Sequence, residues 1–397
     1  MRVRTVAFYN WRYPYGGGEV VTFNLARFFR AAGLRVLLYT GKLDREKLLD
    51  QDSAIFEFQP LPQPGNFRNE ENENFLAESL RQEQVDVIIV QGVMEFPFAR
   101  IHETTSCKII FCLHNKPFWE VEFIRAQPSS EIPHPTFARR LEFLLLRKPV
   151  YYLTPKLWNR TVKSYGRMLP SIDRCLLLCE AYRRDFDAAI ASKFGEELVR
   201  GKTAAILNPL TPAVPGETIP KQKIILYVGR LVRTHKRVDR LLRIWQKIES
   251  HHPDWQLQIV GEGEERPALE KLARRLRLQR IHFLGYRSDM PTIYRTASFI
   301  CLTSNFEGLP MSLMEGQQYG VIPVSFDSYA GIQEIAQDGK AGIIIPSYSL
   351  RRYASRLNRI LDHPQEQEQL RRQALAAAQR YDPQVIGQQW LRLFEEL

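Results

Sequence analysis

SNFEGLPMSLMEGQQYGVIPVS, residues 304–325, is the segment that decides the fold. It follows a short apolar run, turns at Gly-Leu-Pro, continues as a helix and ends in a second apolar run, Ile322–Ser325. A strand, a helix and a second strand in this order form the repeating unit of a parallel α/β sheet. The segment therefore predicts an open parallel sheet covered by helices on both faces.

Comparable Val/Ile/Leu-rich runs recur through both halves of the chain, and each predicts a strand. They are Val3–Tyr9, Arg35–Tyr39, Val85–Val90, Lys108–Leu113, Cys175–Leu178 and Ala204–Leu207, then Lys223–Val228, Gln256–Val260, Ile281–Leu284, Phe299–Leu302, Ile322–Ser325 and Gly342–Ile345. Four prolines in Asn208–Gln222 disfavour both helix and central strand. We therefore expect two doubly wound Rossmann-like α/β domains facing across a cleft: residues 1–208 for the acceptor, a linker at 209–223, and residues 224–383 for the donor. The last helix, 384–397, is expected to pack back on the first domain.

Length and composition narrow the class of protein. A chain of 397 residues is too long for one core, and 44% hydrophobic with 25% charged residues is ordinary for a folded protein. The start of the chain lacks the features of a signal peptide, and no apolar run approaches the roughly 20 residues of a membrane span. We expect a cytoplasmic protein that is neither exported nor integral to a membrane, with its five cysteines as buried free thiols. The net charge of +11 favours a polyanionic partner.

Two glutamates stand before and within the predicted helix of the opening segment. Glu307 stands in the loop at the carboxyl end of a strand, where open parallel sheets bind ligands, and Glu315 lies eight residues later inside the helix. The N-terminus of that helix suits a phosphate. Two carboxylates in this arrangement suit two hydroxyl-rich parts of one ligand, such as a sugar and a ribose joined by a diphosphate.

Here the sequence resembles the retaining glycosyltransferase family 4 of the GT-B fold. The family pattern is Glu-Gly-Phe-Gly-Leu-x-x-Leu-Glu-Ala, and this chain reads EGLPMSLMEG from Glu307. The resemblance implies that Glu307 contacts the donor sugar and Glu315 the ribose, and that Gly308, Leu309 and Met311 contribute to the donor site. Pro310 replaces a glycine and has no N–H to offer, and Gly316 replaces an alanine.

A second motif, Gly229–Lys236, carries the cations of the predicted site. Arg230 and Lys236 stand in a loop between a strand and a helix, where they can neutralise a departing diphosphate without a metal. The segment looks like the family signature Gly-Arg-Leu-x-x-x-Lys-Gly, with Arg237 in place of the last glycine. We expect Arg230 and Lys236 to clamp the diphosphate and act in catalysis, and Arg233 and Arg237 to be solvated.

Other candidate residues follow strands elsewhere. Gly261 and Gly263 belong either to the nucleotide pocket or to a plain turn, and Arg266 replaces the third glycine that a dinucleotide site needs. By the resemblance, Tyr286 and Arg287 border the base, and His114 contacts the donor sugar as a catalytic residue. Gly17 and Gly18 belong to a glycine-rich loop near the donor phosphate or acceptor, or to a simple connecting turn. Asn115 and Lys116 are expected to face the acceptor.

The motifs predict a glycosyltransferase, and the family resemblance implies a hexosyltransferase that acts with retention. It would move a hexose or N-acetylhexosamine from a nucleotide-diphosphate sugar to a glycan or lipid-linked acceptor, in lipopolysaccharide or exopolysaccharide synthesis. No Asp-x-Asp pair stands in a loop suited to Mg²⁺, so no metal and no cofactor are expected. The alternatives are a non-catalytic basic polyanion-binding protein, or another GT-B enzyme such as a sugar-phosphate synthase, phosphorylase or nucleotide-sugar epimerase. A nucleic-acid partner is not expected, because no nucleic-acid-binding module is present.

The stretch Arg139–Arg174 concentrates the positive charge. It holds nine basic residues against two acidic ones, with apolar side chains interleaved. This composition suits peripheral attachment to an anionic membrane, and it suits equally an ordinary packed helix pair with a solvated basic face.

Overall fold

Two parallel sheets organise the computed structural model, which describes residues 3–14, 16–65, 69–127, 136–216 and 219–397. The chain forms two compact units: Met1–Phe118 with Trp158–Thr211 and Tyr381–Leu397, and Trp119–Leu157 with Pro212–Arg380. Residues 119–157, which the sequence assigned to the first domain, thus cluster with the second unit. The prediction of two doubly wound Rossmann-like domains is confirmed.

The first unit contains a seven-stranded sheet in the order β3-β2-β1-β4-β5-β6-β7. Its strands are β1 Thr5–Tyr13, β2 Arg35–Leu43, β3 Glu57–Pro60, β4 Val87–Gln91, β5 Lys108–Leu113, β6 Arg174–Leu177 and β7 Thr203–Ala205. All paired strands are parallel, and the central ones are completely buried because their side chains are apolar on both faces. Strand β3 was missed by the sequence because Glu57–Pro60 is a half-exposed edge segment of mixed polarity.

The second unit contains a six-stranded parallel sheet in the order β10-β9-β8-β11-β12-β13. Its strands are β8 Ile224–Val228, β9 Gln256–Val260, β10 Ile281–Gly285, β11 Phe299–Leu302, β12 Ile322–Phe326 and β13 Ile343–Ile345. The order reverses between β8 and β11, so the loops that follow these two strands diverge from a crevice at the carboxyl edge of the sheet. This is the place where the sequence puts its candidate residues.

The described helices begin and end as follows: α1 Gly16–Ala31, α2 Asp50–Ile55, α3 Glu70–Gln82, α4 Phe98–Thr104, α5 Trp119–Ala126, α6 Phe137–Glu142, α7 Lys148–Leu153, α8 Lys156–Met168, α9 Glu180–Phe194, α10 Val238–Trp245, α11 Arg266–Arg275, α12 Met290–Thr296, α13 Met311–Gln318, α14 Gly331–Ala336, α15 Leu350–Leu361, α16 Pro364–Ala378 and α17 Pro383–Glu395. A π-helical turn, Phe143–Arg147, joins α6 to α7. Among the described residues, none of these helices is both long and apolar enough to cross a bilayer.

The last helix, α17, packs on α1 within the first unit. The rings of Trp390 and Phe394 lie 6.1 and 5.3 Å from that of Phe29. Gly387 lets the two helices approach, since a Cβ there would lie 2.3 Å from the ring of Phe28. All five cysteines are buried and free, as predicted.

Candidate active site

The candidate site of the second unit is built from two loops at the point where its strand order reverses. Residues 229–237 follow β8, and residues 303–310 follow β11. The backbone N–H of Asn305 donates to the carbonyl of His235 (2.7 Å), and its side-chain amide donates to the carbonyl of Thr234 (2.9 Å). The Thr303 hydroxyl donates to the carbonyl of Arg237 (2.8 Å). These bonds hold the two loops in a fixed relation.

Lys236 and Glu307 form an ion pair between the loops. The Nζ of Lys236 lies 2.7 Å from Oε1 of Glu307, and the side chains are only 16% and 9% exposed. The hydroxyl of Ser304 donates to the same Oε1 at 2.7 Å. A largely desolvated pair of this kind is held strongly, because each charge would be costly to bury alone. The structure therefore brings together two of the predicted catalytic residues.

Arg230, the other predicted cation, is exposed at the start of the same loop. Its carbonyl accepts a hydrogen bond from the Tyr227 hydroxyl (3.0 Å), which fixes the backbone. Within the described part of the chain, its guanidinium has no ion-pair partner. The guanidinium is therefore available to an anion.

The backbone conformation at Arg237 explains why the family pattern has a glycine at this position. The backbone of Arg237 is left-handed, with φ 50° and ψ 46°, a conformation that glycine adopts at least cost. A two-pronged contact of 2.9 and 3.0 Å with the Asp239 carboxylate holds the side chain. Arg237 is thus half-buried and paired, and the prediction that it is solvated is wrong.

His235 was overlooked by the sequence, although it precedes Lys236. Its ring stacks on Phe306, with centroids 5.7 Å apart. Burial, together with the nearby charge of Lys236, lowers the pKa of His235 to about 4. The imidazole is therefore neutral at pH 7, and the loop carries only the charges of its arginines and its lysine.

Glu315 occupies a different position from Glu307. It lies on α13 and accepts a hydrogen bond from the Tyr294 hydroxyl of α12 (2.8 Å). Burial raises the pKa of Glu315, and the bond from Tyr294 partly opposes this shift. Of the neighbouring predicted residues, Gly308 and Leu309 are buried and Met311 begins α13 half-buried.

Gly261 and Gly263 allow main chain to pack on main chain. A Cβ on Gly261 would lie 2.1 Å from the carbonyl oxygen of Gly229, and one on Gly263 would lie 2.3 Å from that of Leu231. Both glycines have positive φ, 126° and 159°. Their requirement for glycine is thus explained by packing against the cation-bearing loop, whether or not a nucleotide lies above them.

Tyr286 and Arg287 follow β10 at the edge of the second sheet. The Tyr286 side chain is 79% exposed. The Arg287 guanidinium makes a two-pronged contact of 2.9 Å with the Asp289 carboxylate. An exposed aromatic ring beside a paired arginine offers a stacking surface.

The first unit places His114 directly after β5, beside Gln91 at the end of β4. The side-chain amide of Gln91 is hydrogen-bonded to His114 Nε2. Burial lowers the pKa of His114 to about 4, against a smaller opposing effect of Asn208. Asn115 is half-buried, and its Oδ1 accepts from the backbone N–H of the half-buried Lys116 (2.9 Å).

The glycine-rich segment is not a loop. Helix α1 begins at Gly16, so Gly17 and Gly18 form its first turn, and the expectation of a connecting loop is corrected. The carbonyl of Gly18 accepts from the Thr22 hydroxyl (3.1 Å), and a Cβ on Gly18 would meet nothing within 4 Å. Tyr15 and the surroundings of Gly17 lie outside the described residues.

Metal-binding side chains were also considered. Across the described ranges, no group of three or more His, Cys, Asp or Glu side chains converges in the manner of metal ligands. The absence of a metal stays a prediction.

The two doubly wound units have the GT-B fold. Residues 215–376 match the family model described as glycosyl transferases group 1, and residues 15–189 match that described as glycosyltransferase family 4. The chain belongs to this glycosyltransferase family, as the motifs implied.

Three curated relatives are similar over part of their length. An uncharacterised glycosyltransferase of Haemophilus influenzae is 27% identical over 58% of this chain and 64% of its own. The amylovoran biosynthesis glycosyltransferase AmsD of Erwinia amylovora is 31% identical over 43% and 47%. The lipopolysaccharide 1,6-galactosyltransferase of Salmonella typhimurium is 29% identical over 45% and 52%. The matches therefore span about half to two thirds of these relatives.

Solved structures resemble the chain over nearly its whole length. HepE of Anabaena, crystallised with UDP-glucose, has a TM-score of 0.72 at 17% identity, covering 99% of this chain and 100% of that one. WaaG, a glycosyltransferase involved in lipopolysaccharide biosynthesis, has a TM-score of 0.67 at 17% identity, covering 98% and 99%. At this identity the likeness establishes the fold.

Proposed function

We propose that this protein transfers a hexose or N-acetylhexosamine from a nucleotide-diphosphate sugar to a glycan or lipid-linked acceptor, with retention and without a metal. The observation that carries the proposal is the Lys236–Glu307 pair at the reversal of strand order in the second unit. It supplies a cation for phosphate beside a fixed carboxylate for sugar hydroxyls. Relatives named for amylovoran and lipopolysaccharide synthesis support a role in cell-surface glycan assembly.

The donor diphosphate would lie against the loop after β8. The exposed guanidinium of Arg230 and the ammonium of Lys236 both stand in that loop. Since Lys236 already balances Glu307, an incoming diphosphate places negative groups on both sides of one ammonium. Two cations then neutralise the charge that develops on the leaving group, with no metal required.

The two glutamates would hold opposite ends of the donor. Glu307, fixed by Lys236 and Ser304, accepts hydrogen bonds from the sugar hydroxyls. Glu315, steadied by Tyr294, accepts from the ribose hydroxyls. Tyr286 offers its exposed ring to the base. In the first unit, His114, Gly17 and Gly18 are our candidates for ligand contact, and Asn115 and Lys116 for the acceptor.

The chemical step follows from these positions and from retention. The bond between the anomeric carbon and the diphosphate oxygen breaks, and its electron pair stays on that oxygen. The acceptor hydroxyl forms the new bond to the anomeric carbon on the same face. Its proton passes to the departing phosphate oxygen, so that charge and atoms balance without another base.

An exposed apolar ridge suggests how the enzyme reaches a lipid-linked acceptor at a membrane surface. The ridge comprises α6, the π-helical turn and α7, and its exposed side chains are Phe137, Leu141, Leu144, Leu145, Leu146, Tyr152 and Leu153. Phe137 and Leu153 are each 82% exposed. Exposed Arg139 and Arg147 lie within the same segment, with Arg147 paired to Glu142. Apolar side chains flanked by cations suit an anionic bilayer, so we place the enzyme at the inner face of the cytoplasmic membrane.

Vesicle flotation tests the ridge. The protein should float with vesicles containing phosphatidylglycerol, and Leu145→Asp with Leu146→Asp should abolish flotation. Val385→Asp, at an exposed apolar residue of α17, serves as control. Flotation that is indifferent to lipid charge, or to the ridge variants, would show that the ridge is only a solvated surface.

Nucleotide-diphosphate release from a panel of nucleotide sugars tests the enzymatic proposal. We expect slow release of the nucleotide diphosphate without acceptor, and EDTA should leave the rate of release unchanged. With acceptor present, NMR gives the anomeric configuration of the product. Release in one nucleotide series identifies the donor. No release from any donor would favour a polyanion-binding protein, and sugar phosphate or an epimerised donor as product would favour another GT-B enzyme.

A further inference from the structure

The first unit contains a basic groove that is lined by none of the predicted donor-binding or acceptor-binding residues. It lies between α8 and the end of α9, has a volume of about 700 Å³, and its walls include Asn159, Arg160, Lys163, Arg167, Lys193 and Phe194. We propose that this groove binds the phosphate group of a second ligand. The proposal is independent of the glycosyl-transfer site.

Helix α8 presents its cations as a stripe. Arg160, Lys163 and Arg167 stand at positions i, i+3 and i+7, which share one face of a helix, and all three are exposed. The opposite face carries Val162 and Tyr165, both 1% exposed. The stripe runs about 10 Å along the helix. Burial of the apolar face therefore fixes the direction in which the cations point.

No carboxylate among the described residues pairs with these three cations. Half-buried helical arginines elsewhere in the chain are paired: Arg183 with Glu180 and Asp187, and Arg266 with Glu262 and Glu270. The acids nearest in sequence to the groove, Glu196 and Glu197, follow α9, and Glu197 pairs with Arg200. The stripe thus lacks the internal neutralisation that Arg183 and Arg266 have, and here three such cations border one groove.

Lys193 adds a fourth cation from α9. Its ammonium donates to the carbonyl oxygen and to Oδ1 of Asn159, both at 3.1 Å. These acceptors are neutral and use two of three N–H groups, so the positive charge is held in place and left uncompensated. Four cations around one concavity favour an anion with several acceptor oxygens, as a phosphate has.

Phe194 gives the groove an apolar floor. A Cβ on Gly166 would lie 2.3 Å from Cε2 of the Phe194 ring, so glycine is what lets the ring lie across α8. The ring remains 39% exposed. A ligand that joins a phosphate to an apolar portion matches this surface. It is either a soluble phosphate compound or the headgroup of a lipid.

Calorimetric titration with inorganic pyrophosphate tests the groove, in an Arg230→Met/Lys236→Met background that removes both proposed donor-site cations. The double variant Lys163→Gln/Arg167→Gln should weaken binding at least tenfold. The matched control Arg274→Gln/Arg275→Gln removes the same charge from the exposed face of α11 and should change nothing. Thermal melting checks that both variants fold.

Phosphatidylglycerol vesicles form the second arm and separate the two sources of phosphate. Weaker flotation of Lys163→Gln/Arg167→Gln identifies a lipid headgroup, and unchanged flotation with weakened pyrophosphate binding identifies a soluble ligand. The charge-preserving Arg160→Lys/Arg167→Lys should lose affinity if guanidinium geometry matters. Equal binding of both probes by wild type and Lys163→Gln/Arg167→Gln, or equal losses in the control, overturns the proposal.

Discussion

Lys236 and Glu307 are 71 residues apart in the chain, yet their charged atoms meet at 2.7 Å between the loops that follow β8 and β11. The contact depends on the strand order, which makes β8 and β11 neighbours although β9 and β10 intervene in sequence. The same carboxylate oxygen of Glu307 also accepts a hydrogen bond from the Ser304 hydroxyl. The pair is thus a product of topology, and it links two motifs that are separate in the sequence.

Glu307→Gln keeps the shape of the side chain and removes its charge. We expect kcat to fall by roughly 10²–10³-fold, since a fixed charge that stabilises a transition state has this effect, with donor Kd little changed. Donor titration and initial rates give the two quantities. Lys236→Met should lower both donor affinity and kcat, while Lys247→Met, on the exposed surface after α10, serves as control. Full activity of Glu307→Gln would contradict its assigned role.

Glu315→Gln should weaken donor binding instead. Loss of the buried charge-assisted contacts to ribose should raise donor Kd roughly tenfold or more, with kcat changed little. Tyr294→Phe removes the bond that positions Glu315 and should have a smaller effect in the same direction. The exposed Glu395→Gln is the control. If kcat fell while donor Kd stayed constant, the division of labour between the two glutamates would be wrong.

Substitutions of Arg237 test whether the left-handed backbone at this position is strained. Arg237→Gly removes a cost of about 1–2 kcal/mol and also the contact with Asp239, so we expect stability within about 1 kcal/mol of wild type. Arg237→Val keeps the strained backbone with a β-branched side chain and should be clearly less stable. Urea unfolding measures both, with Arg233→Val as the neighbouring control. Equal stability of the glycine and valine variants would show that the backbone is not strained.

Acid should destabilise the protein through two half-buried histidines. His114 and His235 each have a pKa lowered to about 4, whereas an unfolded histidine has a pKa near 6.5. Their contribution to stability is fully present above about pH 6.5 and is lost as the pH falls towards 4, because only the unfolded chain takes up the protons. We expect a loss of roughly 2 kcal/mol per histidine between pH 7.5 and 5.0.

Urea unfolding of His114→Gln and His235→Gln at those two pH values measures this loss. Each variant should show a smaller difference between the two pH values than wild type does. The exposed His282→Gln should show the wild-type difference. A wild-type difference in all three variants would mean that other groups govern the acid response.

The sequence predicted the sheets well because their strands are continuous apolar runs. Phe299–Leu302 agrees residue for residue with β11, whose four residues are all buried, and Gln256–Val260 agrees with β9, where half-buried glutamines alternate with buried apolar residues. Strand β3 lacks such burial, because Glu57–Pro60 lies at an edge. The early start of α1 was missed because glycine has low helix propensity, and three glycines in a row are typical of a loop.

The candidate site was predicted only where a motif carries it. Glu307 and Lys236 each stand in a recognisable pattern, but the bond from Tyr294 to Glu315 comes from a helix 21 residues earlier, without a local pattern. The neutral state of His235 depends on burial against Phe306, which only the fold supplies. The pairing of Arg237 with Asp239 needed the left-handed turn at residue 237.

Gly261 and Gly263 belong to the turn after β9 and pack against the backbone of the loop after β8. This contact divides the turn after β9 into two kinds of position. Residues 261 and 263 face the carbonyls of Gly229 and Leu231 and have no room for any side chain. Glu262 and Glu264, between and beyond them, are exposed. Substitutions are sterically forbidden at positions 261 and 263 and permitted at positions 262 and 264. The turn can therefore acquire new surface side chains while the backbone that carries Arg230 and Lys236 keeps its position above the sheet.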